Sequence, residues 1–241
     1  HMDTGALEEQ LRRAGDTRRR IIVTDAVFSM DGDIAPLPRL LELAQNHDAV
    51  LIIDDAHGTG VLGPEGRGTV AHFGIEDSER LILMGTLGKA LGCFGAFVCG
   101  SRLLIDYLVN RARSFIFTTA LPPATVAAAL AALDVLEQEP ELISRLQENT
   151  GFMQSELRNL GFDLGSSQTQ IMPIMAGEAA TAVAMASDLM NQGIFLQAIR
   201  PPTVPQGAAR LRLTVTALHT RQELEQSVEA LKKTGRRHNI I

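Results

Sequence analysis

Short apolar runs alternate with stretches of helical period through the first half of the chain. RIIVTD (20–25), AVLIID (49–54), RLILMG (80–85) and GAFVCG (95–100) are apolar runs of about five residues, too short for helices and bounded by Gly or charged residues. Runs of this kind predict strands of a sheet buried on both faces and largely parallel. PLPRLLELAQNH (36–47), opened by prolines, reads as a helix, as does 101–113, and residues 3–20 read as a short helix and turn. PPATVAAALAALDVLEQEPE (122–141) starts a long Ala/Leu-rich helix on its prolines. Another helix covers about 141–160 and ends at Gly161.

Beyond residue 140 the pattern changes. QIMPIMAG (170–177) and IFLQAI (194–199) read as strands flanking a helix at about 178–192. ARLRLTVT (209–216) alternates strictly between apolar and polar positions, the pattern of a half-exposed strand. A last helix covers about 220–234. The expectation is an α/β chain in two parts: 1–140 from a large α/β domain, 141–241 a smaller α+β domain.

Composition narrows the function classes. With 45% hydrophobic residues, 241 positions are ample for a buried core. The net charge of −6, from 28 acidic and 22 basic residues, leaves no basic surplus for nucleic acid. The clusters Arg18-Arg19-Arg20 and Arg236-Arg237-His238 read as solvated flanks. No apolar run approaches the ~20 residues that span a bilayer, so no membrane partner is expected. Cys93 and Cys99 lack metal-type spacing, which points to reduced thiols in a cytoplasmic protein. His1-Met2 reads as a cloning remnant without a signal-peptide pattern.

Two stretches carry candidate chemistry. DDAHGTG (54–60) follows an apolar run directly, which puts Asp54 and His57 at the carboxyl end of a strand, where open α/β sheets bind ligands. Taken alone it has three bland readings: a turn with Asp55 as a cap, a metal set of Asp54, Asp55 and His57, or a nucleotide loop. GTLGKALG (85–92) places Lys89 just past another apolar run. A phosphate loop needs four residues between its first glycine and Gly-Lys, then Ser or Thr; here the spacing is shorter and Ala90 follows. An aspartate and a lysine on neighbouring strand ends suit pyridoxal phosphate. An amine can form a Schiff base with its aldehyde, and a carboxylate keeps its ring nitrogen protonated. No metal is called for by this chemistry.

At these residues the sequence resembles the α-oxoamine synthases, fold-type-I enzymes of the aspartate aminotransferase-like class that use pyridoxal phosphate. The motifs are TDAVFSMDGDIAPL (24–37), DDAHGTGVLGPEGRG (54–68), GTLGKALG (85–92), FIFTTALPP (115–123) and RPPTVPQGAARLRLTVTALH (200–219), spread over most of the chain. The resemblance implies the back half of a large cofactor-binding domain followed by a small domain. It implies an acyltransferase that condenses L-alanine with a pimeloyl thioester, of coenzyme A or a carrier protein, in biotin synthesis. The runner-up is a sibling that uses glycine, and a non-catalytic interaction module is a third reading.

Residue by residue, Lys89 resembles the lysine that takes the cofactor aldehyde and later the substrate α-proton, and Asp54 resembles the partner of the ring nitrogen. His57 and Ser29 resemble the residues that hydrogen-bond the ring hydroxyl, Ala56 the one against a ring face, and Thr86 a phosphate ligand. Thr118 and Thr119 resemble residues that reach the cofactor phosphate of the other subunit, which implies a homodimer. Arg212 resembles the residue that holds the amino-acid carboxylate. Bland roles stand beside these: Ser29 capping a turn, Thr118 and Thr119 capping a helix, and Arg210 and Arg212 in surface ion pairs. The family's Gly-rich phosphate turn and ring-stacking histidine have no counterpart here, so the chain resembles a C-terminal portion. Alone it is expected to bind the cofactor weakly or not at all, to lack synthase activity, and to leave apolar edges beside 49–54 and 80–85.

Overall fold

The four apolar runs of the first half become strands in a computed structural model, which describes residues 1–15, 17–75 and 78–241. They are β1 (Arg20–Asp25), β2 (Ala49–Asp54), β3 (Leu81–Thr86) and β4 (Ala96–Cys99), hydrogen-bonded in that order. A helix α1 (Thr4–Arg13) precedes them, its N-cap Asp3 accepting the Ala6 amide. Helix α2 (Leu37–Asn46) joins β1 to β2 and buries Leu37, Leu40, Leu43 and Ala44, the stripe of a 3.6 period, against β2. The chain divides into two units, His1–Val27 with Ala35–Pro140, and Phe28–Ile34 with Glu141–Ile241.

In the first unit β1, β2 and β3 are parallel, while β4 runs antiparallel to β3. Reversal follows from length: residues 87–95 are too few for the crossover that a parallel neighbour requires. Burial on both faces also fails at β1, where Ile21 and Val23 are 57% and 70% exposed while Ile22 is buried. β1 is an edge strand, and the helix that follows it packs on one side. The runs at 49–54 and 80–85 are interior strands, so the open edges belong to β1 and β4 instead.

A four-residue helix α3 (Thr69–His72), absent from the predicted elements, follows β2. The expected helix at 101–113 breaks at Ala112, which is extended, into α4 (Arg102–Arg111) and α5 (Arg113–Ile116). Helix α6 (Pro123–Gln138) starts on its prolines and buries only Ala129.

The second unit holds α7 (Glu141–Asn159), α8 (Ala179–Met190) and α9 (Arg221–Arg237) and an antiparallel sheet of β5 (Ile171–Gly177), β6 (Gln197–Ile199) and β7 (Ala209–Thr214), in the order β5-β7-β6. Helix α8 packs on the sheet, and α9 packs against α7 and α8. Met153, Leu157, Ile171, Ile174, Met185, Leu189 and Leu211 form its core, each at most 1% exposed. β6 is shorter than expected because residues 191–194 cap α8: Gly193 takes positive φ and the Ile194 amide returns to the Leu189 carbonyl. α9 opens on a capping box of Thr220 and Glu223. Among the described residues no helix is long and apolar enough to cross a membrane.

Candidate active site

Three parallel strands of the first unit end at one edge of the sheet. Asp25 pairs in register with Asp54, and Asp54 with Met84, so the ends of β1, β2 and β3 stand side by side. The Ala26 amide donates to the Asp54 carbonyl at 2.8 Å, and the Asp55 amide to the Met84 carbonyl at 2.7 Å, which extends the ladder just past the strands. Asp54 and Lys89 therefore reach this edge from neighbouring strands.

Two adjacent carboxylates take opposite fates here. Asp55 is fully buried; its Oδ2 accepts the Thr69 amide at 2.9 Å and its Oδ1 accepts the Thr69 hydroxyl. A Cβ on either Gly58 or Gly68 would collide with that carboxylate, and Gly68 also has a φ of +95°. Asp55 thus pins the start of the 55–68 loop to the start of α3. Burial raises its pKa above the ordinary carboxylate range, against the hydrogen bonds from Thr69 that lower it. The capping role considered for Asp55 is realised, but across fourteen residues rather than in a local turn. It also leaves Asp54, Asp55 and His57 without a shared ligand position among the described residues.

Asp54 points elsewhere, its Oδ1 accepting the Ala56 amide at 2.9 Å. Ala56 is buried and His57 half-buried in the turn that follows. On the adjoining strand end, the Thr86 hydroxyl is buried with no hydrogen-bond partner among the described residues. Past it, the Leu87 amide donates to Gly95, the Cys93 amide to Leu87 and the Gly92 amide to Lys89, closing a tight loop between β3 and β4. Lys89 is exposed on this loop and makes no ion pair among the described residues, while its charge acts on Asp25. Asp25 is the second residue of the TDAVFSMDGDIAPL motif and ends a strand whose neighbour ends on Asp54.

Thr118 and Thr119 are exposed between α5 and α6. Helix α6 has Pro122 as its N-cap with no side-chain cap bond, so neither threonine caps it.

Ser29 and Arg212 belong to the second unit, where the sequence pattern misjudged β7. It is a central strand, and its polar face is covered as well. Arg210 is 5% exposed, paired with Asp31 at 2.6 Å and donating to the Met30 and Ala208 carbonyls. The bland reading of a surface ion pair therefore fails for Arg210, because residues 28–34 lie over this part of the strand. Arg212 is half-buried and its Nε donates to the Ser29 carbonyl at 2.7 Å. No carboxylate pairs with it among the described residues, and burial lowers its pKa, a shift that leaves a guanidinium charged at neutral pH. Ser29 uses its carbonyl for Arg212, and its hydroxyl makes no bond among the described residues. The turn it occupies is held by backbone bonds from Asp31 and Gly32 to Phe28.

A parallel sheet with a charged carboxyl edge, followed by an antiparallel second unit, is matched by known proteins. Residues 1–231 match the family described as aminotransferase class I and II. The chain belongs to this family. It is 49% identical, over its whole length, to the 8-amino-7-oxononanoate synthase of Citrifermentans bemidjiense, of which it covers 62%. A solved structure of serine palmitoyltransferase from S. paucimobilis, with a bound pyridoxal phosphate–myriocin aldimine, superimposes with a TM-score of 0.94 at 30% identity; the chain covers 61% of it. The 8-amino-7-oxononanoate synthase of Francisella tularensis gives a TM-score of 0.84 at 31% identity, with 68% of that chain covered. Family members thus share this fold, and the chain spans about three fifths of the length of the curated relatives it matches.

Proposed function

We propose that this chain carries the lysine-bearing part of an 8-amino-7-oxononanoate synthase, a pyridoxal-phosphate acyltransferase that condenses L-alanine with a pimeloyl thioester in biotin synthesis. The observation that supports this reading is that β2 ends on Asp54 and its parallel neighbour β3 on Thr86, with Lys89 on the loop that follows. The residues fit the cofactor: a buried hydroxyl at Thr86 without a partner among the described residues suits a phosphate oxygen, and Asp54 keeps acceptor capacity for a ring N–H. When bound, the cofactor supplies an electron sink for the charge left at the substrate α-carbon.

Within this reading each residue has a definite task. Lys89 offers an amine on an exposed loop, where it can meet an aldehyde and afterwards carry the α-proton. Asp54 is assigned to hold a proton on the ring nitrogen by charge, and Ala56 to lie against one face of the ring. His57 and Ser29 are assigned hydrogen bonds to the ring hydroxyl. Arg212 is assigned the amino-acid carboxylate in preference to Arg210, whose guanidinium is already engaged by Asp31. Thr118 and Thr119 are assigned to the partner subunit's phosphate in a homodimer; their exposure and lack of a capping role support this. Sedimentation should then find the active protein as a dimer.

Borohydride reduction with pyridoxal phosphate, followed by mass spectrometry, tests the reading in the protein that carries this chain. A pyridoxyl adduct on Lys89, absent in Lys89→Ala, is expected. An adduct on another lysine, or none, refutes it and favours a non-catalytic module. Turnover faster with glycine than with alanine would favour the sibling synthase.

A further inference from the structure

Residues 28–34 belong to the second unit, where they are held from two sides. On the side of β5, the Thr169 hydroxyl and the Gln168 amide donate to the Gly32 carbonyl at 2.9 and 3.0 Å, and the Ser166 hydroxyl donates to the Asp33 carboxylate at 2.9 Å. A Cβ on Gly32, whose φ is +71°, would overlap the Ile171 carbonyl. On the side of β7, Arg210 Nη1 pairs with Asp31 Oδ1 at 2.6 Å and donates to the Met30 carbonyl at 3.2 Å. Its Nε donates to the Ala208 carbonyl at 3.0 Å, so the guanidinium is tied to its own strand as well. Arg212, two positions along the same face of β7, donates from Nε to the Ser29 carbonyl at 2.7 Å. Among the described residues neither of its Nη atoms makes a hydrogen bond or an ion pair. Ser29 directly precedes the two residues that Arg210 grips, so its carbonyl cannot leave β7 without straining that set.

We infer that Arg210 and Asp31 are positioning residues: by locking residues 30 and 31 onto β7, they keep the Ser29 carbonyl on the Nε of Arg212 and so fix the direction of its Nη fork. A buried ion pair is a weak source of stability, because desolvating two charges offsets most of their attraction. A fixed geometry is what this pair supplies. With Nε already engaged, the fork meets a carboxylate in bidentate fashion without first having to be ordered. The inference rests on the reading given under Proposed function, which assigns Arg212 to the amino-acid carboxylate. It adds two residues that act through Arg212.

The test uses the protein that carries this chain. Loaded with pyridoxal phosphate, Asp31→Ala should raise the KM for the amino acid by roughly tenfold and leave kcat within about twofold, since the fork must then be ordered on binding. Asp31→Asn, whose carbonyl oxygen still accepts from Arg210, should recover most of that loss. In the unloaded protein, nitrogen-15 spectra of the arginine side chains should show the Arg212 Nε–H exchanging with water about tenfold faster in Asp31→Ala than in wild type. Arg210→Lys, a point charge that cannot span Met30, Asp31 and Ala208 together, should move both readouts the same way and replaces Asp31→Ala if that variant does not fold. An equally protected Nε–H in the variant overturns the inference, as does faster exchange with an unmoved KM. Absence of the borohydride adduct on wild-type Lys89 overturns the proposed function instead. The exchange rates then judge the lock by themselves: acceleration upholds it and an unchanged rate overturns it.

Discussion

Asp55 is the residue whose loss should most disturb the candidate site without touching its chemistry. Its carboxylate is fully buried, and both oxygens are engaged by Thr69. Asp55→Ala removes two bonds and leaves the Thr69 amide and hydroxyl buried without partners. A hydrogen bond to a charged group contributes about 1.5–3 kcal/mol, and an orphaned buried donor costs about 1–3 kcal/mol. A loss of roughly 3–5 kcal/mol follows, as these terms overlap. Asp55→Asn keeps the shape: its carbonyl still accepts the Thr69 amide, and its amide can donate to the Thr69 hydroxyl oxygen. Its cost should stay below about 1.5 kcal/mol. Urea unfolding of the first unit is the assay; at a slope of about 2 kcal/mol/M, Asp55→Ala should move the midpoint down by roughly 2 M and Asp55→Asn by well under 1 M. If the asparagine variant is as damaged as the alanine variant, or neither moves, Asp55 does not anchor the loop as described.

The remaining expectations address single groups. Thr86→Val should leave unfolding within about 1 kcal/mol of wild type, since the hydroxyl has no partner among the described residues to lose, while weakening pyridoxal phosphate binding by about tenfold in an equilibrium titration. Arg210→Met should cost about 3 kcal/mol in denaturation of the second unit, because it breaks a buried pair, whereas Arg212→Lys should cost no more than about 1 kcal/mol and chiefly raise the KM for the amino acid. Asp33, buried in the second unit, has its pKa raised above 3.8 first by burial, against the hydrogen bond from Ser166. The folded state then holds this proton more tightly than the unfolded one, so its contribution is complete below pH 3.8 and is lost as pH rises through the folded value. Urea midpoints of Asp33→Asn should therefore gain on wild type between pH 4 and 7, and a gap that shrinks over that range would contradict the assignment.

Much of this protein was determined by local sequence. Residues 20–25 and 49–54 are strands at their predicted limits, and the run at 80–85 is displaced by one residue, because five apolar residues between breakers can bury only as a strand. Gly161 ends α7 as its position predicts, with the Phe162 amide returning to Leu157. The family is also legible, since motifs keep residue types at fixed spacing. Tertiary structure decided what spacing does not encode. β4 runs antiparallel because a nine-residue loop leaves no other course, and Arg210 is buried because residues 28–34 pack over β7. The adjacent aspartates diverge because one meets Thr69, fourteen residues on, and the other does not. Asp25 joins Asp54 only through strand register, a relation between distant residues that no run of neighbours records.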